Sequence, residues 1–306
     1  MRRAVFKLPG PKPDSFLNGN IALVPKDRQH MNAYLMELQR EYGGVMRFSF
    51  GPVPVVLCFD PQFARVVMST SKHSTKGYFY FMLTTWLGTG LLTSQGTKWK
   101  NRRRMITPAF HFDILKRFLE VMNEQTDVMI NKMEEKSQQG PVEAFKLITL
   151  CTLDIICETA MGKKVHAQQT EGQNEYVEAV YQSTKLIMDR GMKPWQLFEF
   201  LYKHGEEGQR FYKVLEVLHK FTRKVIKERR ELLAREKKEL GEGESAKKSR
   251  PAFLDILLTA ESDGKPLDDE DIREEVDTFM FEGKMRQTIQ YQAQRPTTCK
   301  SMIFFF

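Results

Sequence analysis

The feature of this chain that most constrains its fold is helical periodicity sustained over residues 109–240. Apolar residues recur there at steps of three and four, as at Leu115, Phe118 and Met122, which is the spacing that places side chains on one face of a helix. Residues 145–160 are apolar on nearly every side, so we expect that helix to be surrounded by others. Because no internal repeat is present, the region predicts a multi-helix globule and not an extended solenoid.

A small sheet is predicted in the N-terminal third of the chain. Residues 46–50 alternate apolar and polar side chains, Gly51-Pro52 turns the chain, and residues 53–59 form a second β-rich run. This combination is typical of a hairpin. An apolar stripe predicts a helix over residues 31–42, ended by the paired glycines that follow. The predicted fold class is therefore mainly α with a small β-hairpin sheet.

Residues 1–20 are predicted to form a proline-rich lead-in, because Pro9, Pro11 and Pro13 fix φ and remove backbone donors. The lead-in has too short an apolar part for a secretory signal. The most apolar run of the chain, residues 147–157, has 11 residues and carries Asp154, which is too short to span a bilayer. No transmembrane anchor is predicted in the chain.

Charge and cysteine usage exclude several classes of function. Residues 223–250 hold eleven Lys and Arg against six Glu, a net charge of +5 out of the whole +8. We interpret this stretch as a solvated helix end followed by a flexible surface loop. A loop that binds nucleic acid would interleave aromatic or amide side chains with the charges, so no nucleic-acid partner is predicted. The four cysteines and six histidines lack metal-ligand spacing, so no metal ligands are predicted.

The most informative cluster for chemistry is the basic run at residues 98–104. Trp99 and Arg103 are four residues apart, so on a helix they share a face and offer an indole N–H and a guanidinium. That pair suits a dianion such as two carboxylates. The neighbouring cations would then point toward solvent or an acidic partner: Lys98, Lys100, Arg102 and Arg104. The alternative is a solvated basic helix anchored by its tryptophan.

Two further features are candidates for a site. The first is a group of large apolar residues that could wall a lipophilic pocket or serve as core packing: Tyr78, Phe79, Phe81, Met82 and Trp86, with Phe279 further along the chain. The second is Glu282, a carboxylate after the apolar run Phe279, Met280, Phe281. It is either a functional group or the exposed end of that helix.

Four blocks in order resemble the N-terminal part of the cytochrome P-450 superfamily, specifically the family 4 fatty-acid ω-hydroxylase group. The blocks are WLGTGLLTSQGTKWKNRRRMITPAFHFDILKRF at 86–118, TLCTLDIICETAMG at 149–162, RPAFLDILL at 250–258 and DIREEVDTFMFEG at 271–283. The resemblance covers about residues 6–283. It implies an incomplete cytochrome P-450 fold that lacks the C-terminal haem-ligand part, with residues 21–283 as part of one domain and residues 284–306 as a divergent tail.

The resemblance also implies roles for residues. Trp99 and Arg103 match the helix that holds a haem propionate, and Glu282 matches a glutamate that in many members esterifies a haem methyl. Residues 77–92 match the border of the substrate pocket. The basic residues around Trp99 match the surface that docks an NADPH-dependent cytochrome reductase. The implied reaction is O₂-dependent hydroxylation of a fatty acid or similar lipid, at the endoplasmic reticulum membrane surface.

The sequence departs from the family pattern after Gly283. Lys284, Met285 and Arg286 stand where the family has a His-Asp-Thr-Thr run, and Cys299 lacks the motif of the iron-ligating cysteine. Without that thiolate, cleavage of the O–O bond is not supported, so we expect the chain as written to be inactive. Two alternatives stay open: a haem-free helical module that binds lipid or the reductase, and a basic nucleic-acid-associated protein.

Overall fold

The computed structural model describes residues 2–25, 28–70, 75–170, 175–240, 252–262 and 265–293. The described residues within 1–83, 183–212 and 291–293 form one compact unit, and those within 84–182 and 213–290 form a second. The predicted basic loop at residues 241–250 lies outside the described residues, as do Pro296 and Cys299 of the tail.

The described chain is mainly helical with short antiparallel strand pairs, which confirms the predicted fold class. The α-helices are α1 (Arg2–Val5), α2 (Arg28–Tyr42), α3 (Pro61–Ser69), α4 (Phe81–Leu87), α5 (Gly96–Ile106), α6 (Phe112–Ser137), α7 (Ala144–Thr159), α8 (Glu175–Gly191), α9 (Glu199–His204), α10 (Glu206–Leu240), α11 (Phe253–Thr259) and α12 (Asp269–Ala293). The strands are β1 (Val45–Phe50), β2 (Val53–Cys58), β3 (Glu261–Ser262) and β4 (Lys265–Pro266). None of the described helices combines the length and the apolarity that a membrane span requires.

The first unit is built on the predicted hairpin. Strands β1 and β2 pair antiparallel with Val45 opposite Cys58 and Phe50 opposite Val53, and Gly51 turns between them at a φ of +56°. Met46 and other inward side chains of the hairpin pack against the apolar face of α2, whose end before Gly43 confirms the predicted stop. The predicted alternation of the strands therefore buries one face of a real sheet.

The lead-in is irregular after α1, as its prolines predict, and it lies along β1. The Arg47 amide donates to the Pro9 carbonyl at 2.8 Å, and the Arg47 guanidinium donates to the Leu8 carbonyl at 2.7 Å. The Ser49 amide donates to the Asn20 side chain at 2.9 Å. These bonds tie the N-terminal segment to the edge of the hairpin, which supplies the backbone partners that a proline-rich segment cannot provide for itself.

The second unit has a buried helix at its centre. Helix α7 buries residues around its circumference, including Leu150, Leu153 and Cys157, which confirms the prediction of a helix surrounded by neighbours. Burial raises the pKa of the Cys157 thiol, so this cysteine fills the core as a small apolar side chain. The Asp154 carboxylate accepts from the amides of Ala167 and Gln168 at 2.6 and 2.9 Å, which ties the following loop back to α7.

Helix α12 begins directly after Asp268, a residue type that favours the capping position, and extends past Gly283. The Asp271 amide donates to the Asp268 carboxylate at 2.6 Å, so Asp268 caps the helix as its residue type predicts. The helix then continues through Ala293 and does not end near Gly283. The run of Lys, Met, Arg and Gln in residues 284–292 consists largely of good helix formers, which favours this continuation.

Candidate functional site

The basic run at residues 98–104 lies on α5 and presents three faces. A residue of an α-helix is turned by about 100° from its predecessor, and residues four apart nearly coincide in direction. Lys98 and Arg102 therefore share one face, which we call the anchor face. Trp99 and Arg103 share a second, the donor face, while Lys100 and Arg104 share a third, the outer face. The structure gives each face a different environment.

The anchor face is held by the first turns of α12. Arg102 is only 5% exposed, and its guanidinium forms an ion pair with Asp271 and has its Nε 3.8 Å from Glu275 Oε1. Glu275 is 1% exposed, and its other oxygen accepts from the Leu91 amide at 3.0 Å. One arginine therefore reaches two carboxylates that lie one helical turn apart on α12.

Lys98 extends the same contact toward solvent. Its ammonium donates to the Thr89 hydroxyl at 2.5 Å and lies 3.3 Å from Asp271 and 3.5 Å from Glu274. Glu274 in turn accepts from Thr89 at 3.0 Å. Because both cations of the anchor face have carboxylate partners on α12, α5 is fixed at two points, one turn apart.

The anchor face corrects a prediction made from the sequence. The expectation that Arg102 points toward solvent is wrong, since Arg102 is buried and paired with Asp271. Its expected role in docking a reductase stays a prediction. Lys98 stays partly exposed but is paired within the chain. The sequence of the basic run by itself is typical of a solvated helix. Its carboxylate partners, Asp271 and Glu275, lie far away in the chain.

The donor face has a different character. Trp99 is half-buried and Arg103 is exposed. Within the described part of the chain, no side-chain hydrogen bond or ion pair engages either residue. The structure therefore confirms that the two lie on one helix four residues apart, and it leaves an indole N–H and a guanidinium fork available to an external acceptor. The outer face, Lys100 and Arg104, is exposed.

Glu282 lies on α12, exposed, directly after the buried residues Met280 and Phe281. It is not at the end of the helix, because α12 continues to Ala293. Glu282 belongs to the same unit as α5. Its role toward a cofactor stays a prediction.

The predicted pocket residues divide between the two units. In the first unit, Phe79 packs edge-on against Phe50 of the hairpin at 5.2 Å, and Tyr78 is exposed but lies 4.8 Å from the Phe81 ring. Met82 is buried. Phe79 thus extends the hairpin core, which supports the alternative of core packing for this residue.

In the second unit, Trp86 is 1% exposed and lies 5.0 Å from the Phe281 ring. Phe279 contacts Phe253 at 4.0 Å and stacks on Phe110 at 5.5 Å. Both residues are therefore part of aromatic clusters around α12. A role for either in a substrate pocket stays a prediction.

A buried polar network in the second unit was missed from the sequence. Asp277 accepts from the Thr222 hydroxyl at 2.5 Å and pairs with Arg273, while His219 Nε2 lies 3.6 Å from it. Burial raises the pKa of Asp277 to about 7, and burial likewise raises the pKa of Glu275 to about 7. The signal in the sequence was an Arg and an Asp four residues apart on the apolar stripe of α12.

Known proteins resemble this chain over most of its length. A family model described as cytochrome P-450 matches residues 9–285. The chain is 46% identical over 243 residues to cytochrome P-450 4V2 of Rattus norvegicus, covering 78% of this chain and 46% of the relative. It is 42% identical over 273 residues to cytochrome P-450 4V2 of Homo sapiens, covering 87% and 52%. It is 40% identical over 289 residues to cytochrome P-450 4d2 of Drosophila melanogaster, covering 92% and 58%. The chain spans about half the length of the curated relatives it matches.

Proposed function

The chain belongs to the cytochrome P-450 family, and from that premise we propose that it forms the N-terminal portion of a family 4 haem-thiolate monooxygenase. The proposed reaction of the complete domain would insert one oxygen atom from O₂ into a C–H bond of a fatty acid or similar lipid, while two electrons from NADPH and two protons would reduce the other oxygen atom to water. The observation on this chain that carries the proposal is the donor face of α5, where Trp99 and Arg103 have no described acceptor.

The donor face fits the acidic edge of haem. A haem propionate is an anion that can accept from an indole N–H and a guanidinium together, and bonds of this charge-assisted kind are about twice as strong as neutral ones. Trp99 is half-buried, so its ring also supplies apolar contact beside the carboxylate. When bound with a cysteine thiolate, haem supplies the activation of O₂. We assign the thiolate to the part of the family domain that this chain does not span.

The remaining roles follow from the same premise. We assign Tyr78, Phe81 and Met82 of the first unit to the neighbourhood of a lipophilic substrate, whereas Phe79 packs in the hairpin core. As a separate proposal for the second unit, we assign Trp86 and Phe279 to contact with such a substrate and Glu282 to the haem periphery. Electrons would come from NADPH through a reductase that docks on exposed cations. The outer face of α5 supplies two of these, Lys100 and Arg104, whereas Arg102 is occupied by α12.

Contact with a membrane surface is supported by the first unit. Four large apolar side chains are exposed on a short segment before and within α9: Trp195, Phe198, Phe200 and Leu201. Solvent-exposed apolar side chains that cluster in this way are typical of a surface that meets lipid or another protein. We propose that this segment meets the endoplasmic reticulum membrane.

Titration with haemin tests the proposed cofactor. The purified chain is titrated with haemin and the absorbance of the bound haem is followed. We expect saturable binding, weakened on the order of tenfold in Arg103→Met, because one charge-assisted contact is worth about 1.5–3 kcal/mol. Arg117→Met is the matched control, since Arg117 is an exposed arginine on α6 with no described side-chain contact. Equal affinity in wild type and Arg103→Met would contradict the assignment. Fatty-acid binding without haemin binding would favour the alternative of a haem-free lipid-binding module.

A further inference from the structure

We propose that Arg102 and Lys98 are positioning residues for haem, which hold α5 on the carboxylates of α12 so that Trp99 and Arg103 stay free to bind the propionates. This inference rests on the proposed function and deepens it. It names residues of this chain that act through the donor face without touching the cofactor themselves.

The first step is the strength of the anchor. Arg102 is buried, and its two carboxylate partners, Asp271 and Glu275, are four residues apart on α12. The guanidinium pairs with Asp271 through Nη2 and faces Glu275 through Nε at 3.8 Å, which is an ion pair without a hydrogen bond. Because the nitrogens of the planar guanidinium are fixed relative to one another, both contacts depend on a single orientation of the side chain, which a lysine point charge does not impose. Lys98 adds a second attachment one turn earlier through Thr89 and Glu274.

The second step is geometric. The anchor face and the donor face differ by one residue, which is about 100° of rotation around the helix. Two attachments spaced by one turn fix both the rotation of α5 and its position along its own axis. Trp99 and Arg103 are therefore directed by contacts that Lys98 and Arg102 make on the adjacent face.

The third step is electrostatic. The first turns of α12 carry three carboxylates that meet α5: Asp271, Glu274 and Glu275. Arg102 and Lys98 are the cations that face these carboxylates. If Arg102 were removed, buried Glu275 would lose the cation that it faces and Asp271 would keep Lys98, so α5 would be held by one attachment instead of two. The direction of Trp99 and Arg103 would then no longer be fixed.

The test is a double-mutant cycle on the 306-residue chain with haemin as the probe. We expect Arg102→Met to weaken haemin binding on the order of tenfold, as the loss of a residue that orients a ligand commonly does. We expect a smaller loss when Arg102→Met is added to Arg103→Met, because only the part of the effect that passes through Trp99 then remains. Arg102→Lys, which keeps the charge, restores part of the affinity, and Arg117→Met leaves it unchanged.

A second measurement needs no haem. Amide hydrogen exchange of residues 96–106 reports whether α5 is held, and we expect it to accelerate in Arg102→Met and to stay at the wild-type rate in Arg117→Met. Unchanged hydrogen exchange in Arg102→Met would overturn the inference. So would an equal loss of haemin affinity when Arg102→Met is introduced into wild type and into Arg103→Met. If wild type and Arg103→Met bind haemin equally, the proposed function fails instead, and the two failures are distinguishable. If Arg102→Met does not fold, Arg102→Lys supplies the same cycle.

Discussion

Replacement of Glu275 by Gln makes a quantitative prediction about the interface between α5 and α12. Glu275 is almost completely buried, and burial raises its pKa from 4.5 to about 7, against the opposing effects of the Leu91 amide and Arg102. A pKa shift of one unit corresponds to about 1.4 kcal/mol. Ionisation of Glu275 therefore lowers the unfolding free energy by about 3 kcal/mol. Gln keeps an acceptor for the Leu91 amide and carries no charge.

The sign follows from proton uptake. Between pH 4.5 and about 7 the folded wild type holds a proton on Glu275 that the unfolded chain has lost, so wild-type stability falls as the pH rises through this window. The variant has no such group. Its unfolding free energy therefore matches that of wild type near pH 4 and exceeds it by about 3 kcal/mol at pH 8.

Urea unfolding, followed by circular dichroism at intervals from pH 4 to pH 8, measures the difference. Asp277, whose pKa is also raised to about 7, is present in both proteins and largely cancels. Glu216→Gln, at an exposed position with no described side-chain contact, is the matched control, and we expect it to change the unfolding free energy by less than about 0.5 kcal/mol at each pH. A difference for Glu275→Gln that does not vary with pH, or that shrinks as the pH rises, would refute the reasoning.

Two further variants test the packing of each unit. Trp86→Ala should lower the unfolding free energy by about 3–5 kcal/mol, because this side chain is fully buried and its ring packs against Phe281. Trp195→Ala, at an exposed tryptophan, is the control. Equal effects of the two variants in urea unfolding would contradict the assigned burial. Arg190→Met should cost about 2 kcal/mol, because the buried guanidinium donates to the Gln196 carbonyl at 2.9 Å and to Glu199 at 2.6 Å. Accelerated hydrogen exchange of α9 would confirm this loss, and unchanged exchange would count against it.

Elements set by local chemistry could be predicted from the sequence. The hairpin follows from alternation around Gly51-Pro52, and the start of α3 follows from Asp60, whose carboxylate accepts from the Gln62 and Phe63 amides. The pairing of Trp99 with Arg103 on one helix follows in the same way from their spacing. In each case the residues that decide the structure are neighbours in the chain.

Features that depend on distant segments could not be predicted. The burial of Arg102 is caused by Asp271 and Glu275, and no pattern within residues 98–104 distinguishes the paired arginine from its exposed neighbours. The continuation of α12 past Gly283 is a different case, because the residues that favour it are local helix formers. The change of composition at Lys284 drew attention away from that local signal.

The most direct test of the central claim compares haemin with its dimethyl ester, which has the same ring and iron but no propionate charge. If Trp99 and Arg103 bind the propionates, wild type prefers haemin by on the order of tenfold or more, since charge-assisted bonds to an anion are lost with the ester. In Arg103→Met this preference falls toward unity, while Arg117→Met retains it. An equal affinity of wild type for the two compounds, or a preference that survives in Arg103→Met, would contradict the account.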